Sequence, residues 1–343
     1  MTRIFTEGAE MNDMLFFDEN YSSSDVISST KRSGEYAYHI GAAGYLAKYF
    51  SPALSECYFR QGFYFPSRYE DRHFCTFRYN GTNLLRLTHD AVGHWVVRND
   101  SSVLEDSGVL SSTSGWVLIE IHYLVDNSNG IFTVKIDGVQ IINYIGDTQP
   151  STESTFNNIY WAGGYGGAIN ENLYFDDFAL NDTNGVADNS WCGDGCIIKI
   201  TPSGSSATTN DWLNSGSVSG SANYLYVDEY PSDGDTTYVY ASGSDVGLQT
   251  QFAMSNETFT GKTILRIYPE ARARKTTGEL DTIKIGFLAD GGTDVMSGSA
   301  NLSIGAYTRI VGDETKVNPV TSASWTENDI NSLEFVAEVG SSG

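Results

Sequence analysis

The sequence predicts an all-β protein built from two antiparallel, jelly-roll-like β-sandwich domains in tandem. Three observations predict it. Tyr (21) and Phe (17) are abundant, 35 glycines supply turns, and only 18% of residues are charged. Short runs alternate apolar and polar residues with the strand period of two, and helix-favouring runs of Ala, Leu, Glu and Lys are scarce. At 343 residues the chain is long enough to bury two separate cores.

The elements follow in order. "SGEYAYHIG" (33–41) alternates and ends in glycine. "SECYFRQGFYFPS" (55–67) and "RHFCTFRYNG" (72–81) read as neighbouring strands joined by a short polar turn. "NLLRLTHD" and "HWVVRND" follow, separated by "AVG". The segment 114–148 holds a Trp-led strand, an Asn/Ser/Gly turn, a strand ending at Asp137-Gly138 and a return strand. Asp-Gly between alternating runs predicts a tight hairpin. "NNIYWAGG" and "LYFDDFALND" complete a first domain over 1–190, as two antiparallel sheets packed face to face. "NDTNGVADNSWCGDGC" (181–196) is polar and without period, so the boundary is placed there and the second domain spans 191–343. Its strands are predicted in "CIIKITP", "NYLYVDEYP", "TTYVYAS", "GLQTQFAM", "TILRIYPEARARK", "TIKIGFLAD", "YTRIVGD" and "LEFVAEV". Thr326 and Asp329 predict a capped single helical turn before the last of these.

Asp176 and Asp177 raise the question of a carboxylate pair. Neighbouring side chains on a strand point to opposite faces, so the pair is predicted not to converge and each carboxylate to reach its own surface. The net charge of −23, from 43 acidic and 20 basic residues, makes nucleic acid a poor partner. "RARK" (272–275) reads as a guarded sheet edge. No stretch approaches 18 apolar residues and the N-terminus lacks a signal-peptide pattern, so neither membrane nor signal-led secretion is expected. Four cysteines are too few for a disulfide scaffold. Cys57 and Cys75 read as free thiols, while Cys192 and Cys196, four apart, fit either free thiols or a small bridge.

Residues 114–148, with a Trp-led strand, a Gly turn and "VKIDG", resemble the laminin-G-like, concanavalin-A-like jelly roll, with 32–40 and 173–180 as its early and final strands. "VDEYPSDGDTTYV" (227–239), 270–294 and 318–339 resemble a C-terminal β-domain common in tailed-bacteriophage virion proteins, and the opening "MTRIF…GAEM" looks like the start of such proteins. The resemblance implies a phage structural protein, made in the host cytoplasm and carried on the outer surface of the virion. Its implied partners are the major capsid or tail protein, further copies in a homo-oligomer or symmetric array, and a host surface glycan. Capsid decoration comes first, then tail decoration, then a receptor-binding fibre.

That fold also hosts glycoside hydrolases, so residues must decide. Laminarinase-like members carry three acids along one strand. Here Glu120 fills the first position, but His122 and Val125 stand at the other two, so acid and nucleophile roles cannot both be filled. His39, His73, His89 and His94 show no catalytic or metal spacing and read as structural. The chain is therefore expected not to be an enzyme and to have no catalytic residue. The rival reading is a glycan-binding module. "YWAGGYGGAINEN" (160–172) offers Trp161 or Tyr165 to stack on a sugar ring and Asn170 and Asn172 to bond hydroxyls. No cofactor is expected beyond a calcium ion that the resemblance allows on a rim, for which Asp177 and Asp182 are the candidates. Residues 1–12 are a candidate attachment arm, in which Ile4 and Phe5 would pair with a neighbour as an added strand.

Overall fold

The computed structural model describes residues 3–340 apart from 22, 42–43, 67–72, 101, 113, 163–171, 185–186, 221, 230–231, 242–244, 277–281 and 290–292. The protein is all-β and antiparallel, as the alternation predicts, and divides into two compact units, Met1–Lys199 and Ile200–Gly343.

The first unit is a sandwich of two sheets. In spatial order, the eight-stranded sheet runs β13 (Val139–Gly146), β12 (Gly130–Ile136), β11 (Gly115–Leu124), β6 (Glu56–Phe65), β15 (Leu173–Asp182), β4 (Ala37–Ile40) and β3 (Ser24–Ile27). β1 (Arg3–Glu7) also pairs with β15. The seven-stranded sheet runs β10 (Val103–Leu110), β9 (His94–Arg98), β8 (Thr82–His89), β7 (His73–Tyr79), β14 (Phe156–Ala162), β5 (Tyr45–Leu54) and β2 (Glu19–Tyr21). Between the sheets lies an aromatic core that includes Phe59, Phe63, Phe74, Phe77, Trp95, Phe156 and Trp161, all fully buried. Burial stabilises each such side chain by about 1.5–3 kcal/mol relative to exposure, which makes this core the main cohesive force of the unit. The hairpin at Asp137-Gly138 joins β12 to β13 as predicted, with φ of +48° and +79° at the two turn residues.

Two local expectations fail. β6 and β7 are not neighbours but belong to opposite sheets, facing each other through Phe63 and Phe74 at 4.8 Å. Alternation identifies a strand but not its sheet. The N-terminal segment is not a free arm: β1 pairs antiparallel with β15, and Phe5 packs edge-on against Phe16 at 5.2 Å. Ile4 and Phe5 are part-buried against the core, so their apolar surface is already used within the chain.

In the second unit a six-stranded sheet runs β16 (Pro202–Asn210), β19 (Gln249–Met254), β25 (Glu334–Val339), β21 (Thr282–Ala289) and β22 (Thr293–Met296), with β23 (Ala300–Asn301) also on β21. Two short ribbons, β17 (Leu213–Asn214) with β18 (Val239–Tyr240) and β20 (Glu270–Ala273) with β24 (Thr308–Val311), help cover it. Ile310, Ala271 and Val239 from the ribbons pack with Ile283 and Ile285 of the sheet. Thr326 and Asp329 cap the turn α1 (Glu327–Ile330) reciprocally, as predicted. "NYLYVDEYP" is a 3-10 turn at Asn223–Tyr226 instead of a strand, and residues 196–201 are extended without strand pairing. "RARK" contributes to the β20–β24 ribbon, with Arg272 and Arg274 stacked on Tyr307. Among the described residues no helix is long and apolar enough to cross a membrane.

Candidate functional site

The Asp176-Asp177 pair does converge, because the strand is not regular there. Phe175 and Phe178 both face the core, against Phe63 at 5.2 Å and Trp161 at 5.1 Å, so the two residues between them share the outer face. The pairing of β15 with β6 slips between Asp176 and Ala179, and Asp177 has φ of +52°, the geometry of a bulge. Neither carboxylate reaches solvent. Asp176 accepts the backbone N–H groups of Arg32 and Ser33, at 2.9 and 3.1 Å. Asp177 takes the Arg32 guanidinium at 2.6 Å, the Ser33 hydroxyl at 2.7 Å and the Ile197 N–H at 2.8 Å.

These bonds belong to a strap. Residues 191–197 lie along the outer face of the eight-stranded sheet. Arg60 donates to the carbonyls of Asp177 and Gly193, and Arg32 to that of Gly195. Glu120 accepts the Gly193 N–H at 2.8 Å. Trp191 meets the Tyr58 ring at 5.4 Å and carries the Lys135 ammonium at 3.6 Å. The strap explains why the first unit ends at 199 and not 190: a polar, aperiodic sequence can still be fixed by a polar sheet face. The pair is thus structural. Asp177 is not a metal ligand, since its oxygens are committed to Arg32, Ser33 and Ile197, and Asp182 accepts the Asn184 N–H beside its strand end. All four cysteines are free thiols, with Cys192 against the Tyr58 and Ala179 carbonyls.

The predicted glycan loop is only partly described. Trp161 is a core residue with no solvent exposure, its indole N–H donating to Gln61 at 2.7 Å, so it cannot stack on a sugar. Tyr165 and Asn170 lie outside the described residues. Asn172 is exposed just before β15.

A different surface gathers the chemistry. Residues paired across an antiparallel sheet share a face. On the outer side of the seven-stranded sheet one row runs Arg98, Arg86, Thr76, Tyr160 and Ala47 across five strands. A second row runs Asn83, Arg78, Asn158 and Tyr49, and a third carries His73, Thr88 and Val96. The aromatic end is continuous. Tyr21 stacks on Tyr45 at 5.3 Å and 8°, Tyr45 meets Tyr160 at 5.2 Å, and the Arg78 guanidinium lies 4.5 Å over the Tyr160 ring. Arg86 is paired with Asp100 at 3.5 Å. Arg78 and Arg98 have no carboxylate partner among the described residues. Two buried polar atoms on neighbouring strands, Arg78 Nε and Asn158 Oδ1, likewise have no hydrogen-bond partner there. Burial, with the charges of Arg86 and Arg98, pushes His73 down to about 4, so its imidazole is neutral near pH 7.

None of these residues stands out in sequence, where each is the polar half of an alternating strand. The available signal was that "TFRYN", "LLRLT" and "VVRND" place an arginine at polar positions of three successive strands. At the rim, Asp90 and Asp106 flank His94 Nδ1 at 3.2 and 3.7 Å, a grouping of exposed or part-exposed side chains of a kind common without a metal ion.

No family model and no curated protein matches the chain. Solved structures do. An endo-β-1,4-glucuronan lyase from Trichoderma reesei matches at 10% identity and TM-score 0.42, covering 52% of this chain and 95% of that one. A carbohydrate esterase from the Shiga toxin-encoding bacteriophage phi24B matches at 13% and 0.36, covering 52% and 98%. Alginate lyase Aly36B matches at 10% and 0.35, covering 52% and 96%. At these values the likeness is one of fold, and it assigns no residue a role. One expectation is nevertheless corrected. The chain was expected not to be an enzyme, and the structures it matches are lyases, an esterase and sialidases, so a non-enzymatic nature is not retained as a conclusion.

Proposed function

We propose that this chain is a virion surface protein that holds a carbohydrate against the outer face of its seven-stranded sheet. One observation carries the carbohydrate reading: the ribbon of Tyr21, Tyr45, Tyr160 and Arg78, each in contact with the next on one sheet face. A tyrosine ring offers an apolar plane to the C–H face of a sugar and a hydroxyl to its oxygens, and its two-torsion side chain loses little entropy on binding. Asn83 and Asn158 stand beside the ribbon as hydrogen-bonding groups. The virion reading rests on the resemblance of the second half to phage β-domains. The proposed partner there is the major capsid or tail protein, met by a symmetric array of copies. Because β1 is engaged within its own sheet, the attachment surface is sought elsewhere than residues 1–12.

The test is a glycan array probed with the wild-type protein and with Tyr45→Ala/Tyr160→Ala. Binding should fall at least tenfold in the double variant while its circular dichroism and melting stay unchanged. A folded double variant that binds as well as wild type would remove the carbohydrate reading. Labelled electron microscopy of purified particles checks the virion assignment, which fails if the protein is absent from them.

A further inference from the structure

Resting on the carbohydrate reading above, we propose that the bound carbohydrate is a polyanionic chain laid across the strands, its acid groups on Arg78, Arg86 and Arg98 and its rings on the tyrosines. The site has two chemically distinct ends. Toward β9, β8 and β7 the face presents three guanidiniums, one per strand; toward β14, β5 and β2 it presents three rings. Neighbouring strands lie about 4.8 Å apart, so these six strands span about 24 Å. That length fits an extended chain and exceeds a single sugar ring.

The charge placement is uneven in a protein that holds 43 acidic against 20 basic residues. Arg86 and Arg98 are direct cross-strand partners, an arrangement that costs stability unless an anion lies between or above them. Asp100 meets the buried Arg86 at 3.5 Å and also accepts the Asn83 amide N–H at 3.1 Å, and its carboxylate is largely exposed. Glu19 is engaged with the Tyr49 hydroxyl at 3.0 Å, and Asp18 with Lys48 at 3.2 Å, both at the aromatic end. The planar fork of an arginine suits a carboxylate or a sulfate bidentately. Arg78 Nε and Asn158 Oδ1, both buried and without a hydrogen-bond partner among the described residues, lie between the two ends. The overall negative charge does not forbid this. At about 0.15 M salt charges beyond about 8 Å are largely screened, so the arginines at contact distance dominate over the remote acids.

The test compares three oligosaccharides of equal length by calorimetry in about 0.15 M salt: a polyuronate, a sulfated glycosaminoglycan fragment and a neutral β-glucan. A single-stranded oligonucleotide is the control for another kind of polyanion. Wild type should bind at least one of the two anionic chains about tenfold or more tightly than the neutral one, with affinity falling as salt rises. Preference between carboxylate and sulfate identifies the acid group. Arg98→Ala, at a side chain with no hydrogen bond among the described residues, should lose that preference while keeping the neutral-chain affinity, and Arg98→Lys should restore part of it. Equal binding of neutral and anionic chains, insensitive to Arg98→Ala, overturns the polyanion inference and leaves the carbohydrate reading standing. Absence of binding to all three overturns both, and tighter binding of the oligonucleotide than of any glycan overturns the ligand class.

Discussion

Asp177 shows how one residue fixes a domain boundary. Its carboxylate, fully buried, holds Arg32, Ser33 and the strap together; Arg32 keeps a second partner in the exposed Asp194 at 2.5 Å, so removing the Asp177 charge costs about 1–3 kcal/mol, chiefly from the hydrogen-bonding groups left unpaired. Asp177→Asn should therefore lower the urea stability of the first unit by about that amount, read as a shift in midpoint at constant slope. Two neighbouring carboxyls titrate in the opposite sense from most. Burial and the Asp177 charge outweigh three backbone N–H bonds and push Asp176 up to about 8; burial, helped by the Glu35 charge, pushes Glu10 up to about 7 against N–H bonds from Glu35 and Tyr36 and the charge of Lys199. With folded values above the unfolded ones, these groups contribute stability that is full below about pH 4. It is lost as pH rises through 7 and 8. Urea midpoints should accordingly fall over that range, and Asp176→Asn should flatten the fall. A fall of the same size in the variant would assign it to general charge repulsion.

At the scale of elements, β1 is the clearest reversal. A segment ahead of the first obvious strand looked available to a partner, yet it completes the eight-stranded sheet beside β15 and brings Phe5 onto Phe16. Deleting residues 2–7 should thus lower the melting temperature of the first unit by several degrees, through lost ladder bonds and lost packing, rather than act on assembly alone. Differential scanning calorimetry of the truncated chain checks this, and an unchanged transition would restore the free-arm reading. β15 carries the other element-scale lesson. One extra residue at Asp177 turns both carboxylates outward and keeps both phenylalanines inward, which a strict two-residue period cannot do.

For the whole molecule, the division at 199/200 makes a direct comparison between two fragments. Residues 1–199 should give a soluble protein with one cooperative transition. Residues 1–190 should melt lower, because Arg32, Arg60, Glu120 and Asp177 lose the strap groups at Gly193, Gly195 and Ile197 and their charges become poorly compensated. Equal melting temperatures would mean that the strap adds nothing. Charge is distributed on the same scale. Three arginines line successive strands of one sheet face in a molecule of net charge −23, so the net charge describes the molecule without describing its candidate site.

The sequence by itself determined the fold class, the Asp137-Gly138 hairpin and the Thr326 cap, because each rests on local period or on a turn whose backbone angles only certain residues tolerate. It left Trp161 open between a binding surface and the core, and the structure puts it in the core, since an aromatic on an alternating strand serves either face and only the pairing of sheets tells which. Tertiary structure alone decided that β6 and β7 lie in opposite sheets, that the "SWCGDGC" segment is pinned to a sheet, and that Arg78, Arg86, Arg98 and the tyrosines share one face. The physical reason is common to all three. Strand alternation is a one-dimensional signal of period two, whereas strand order, bulges and cross-strand neighbours come from contacts between residues far apart in the chain, which no local pattern encodes.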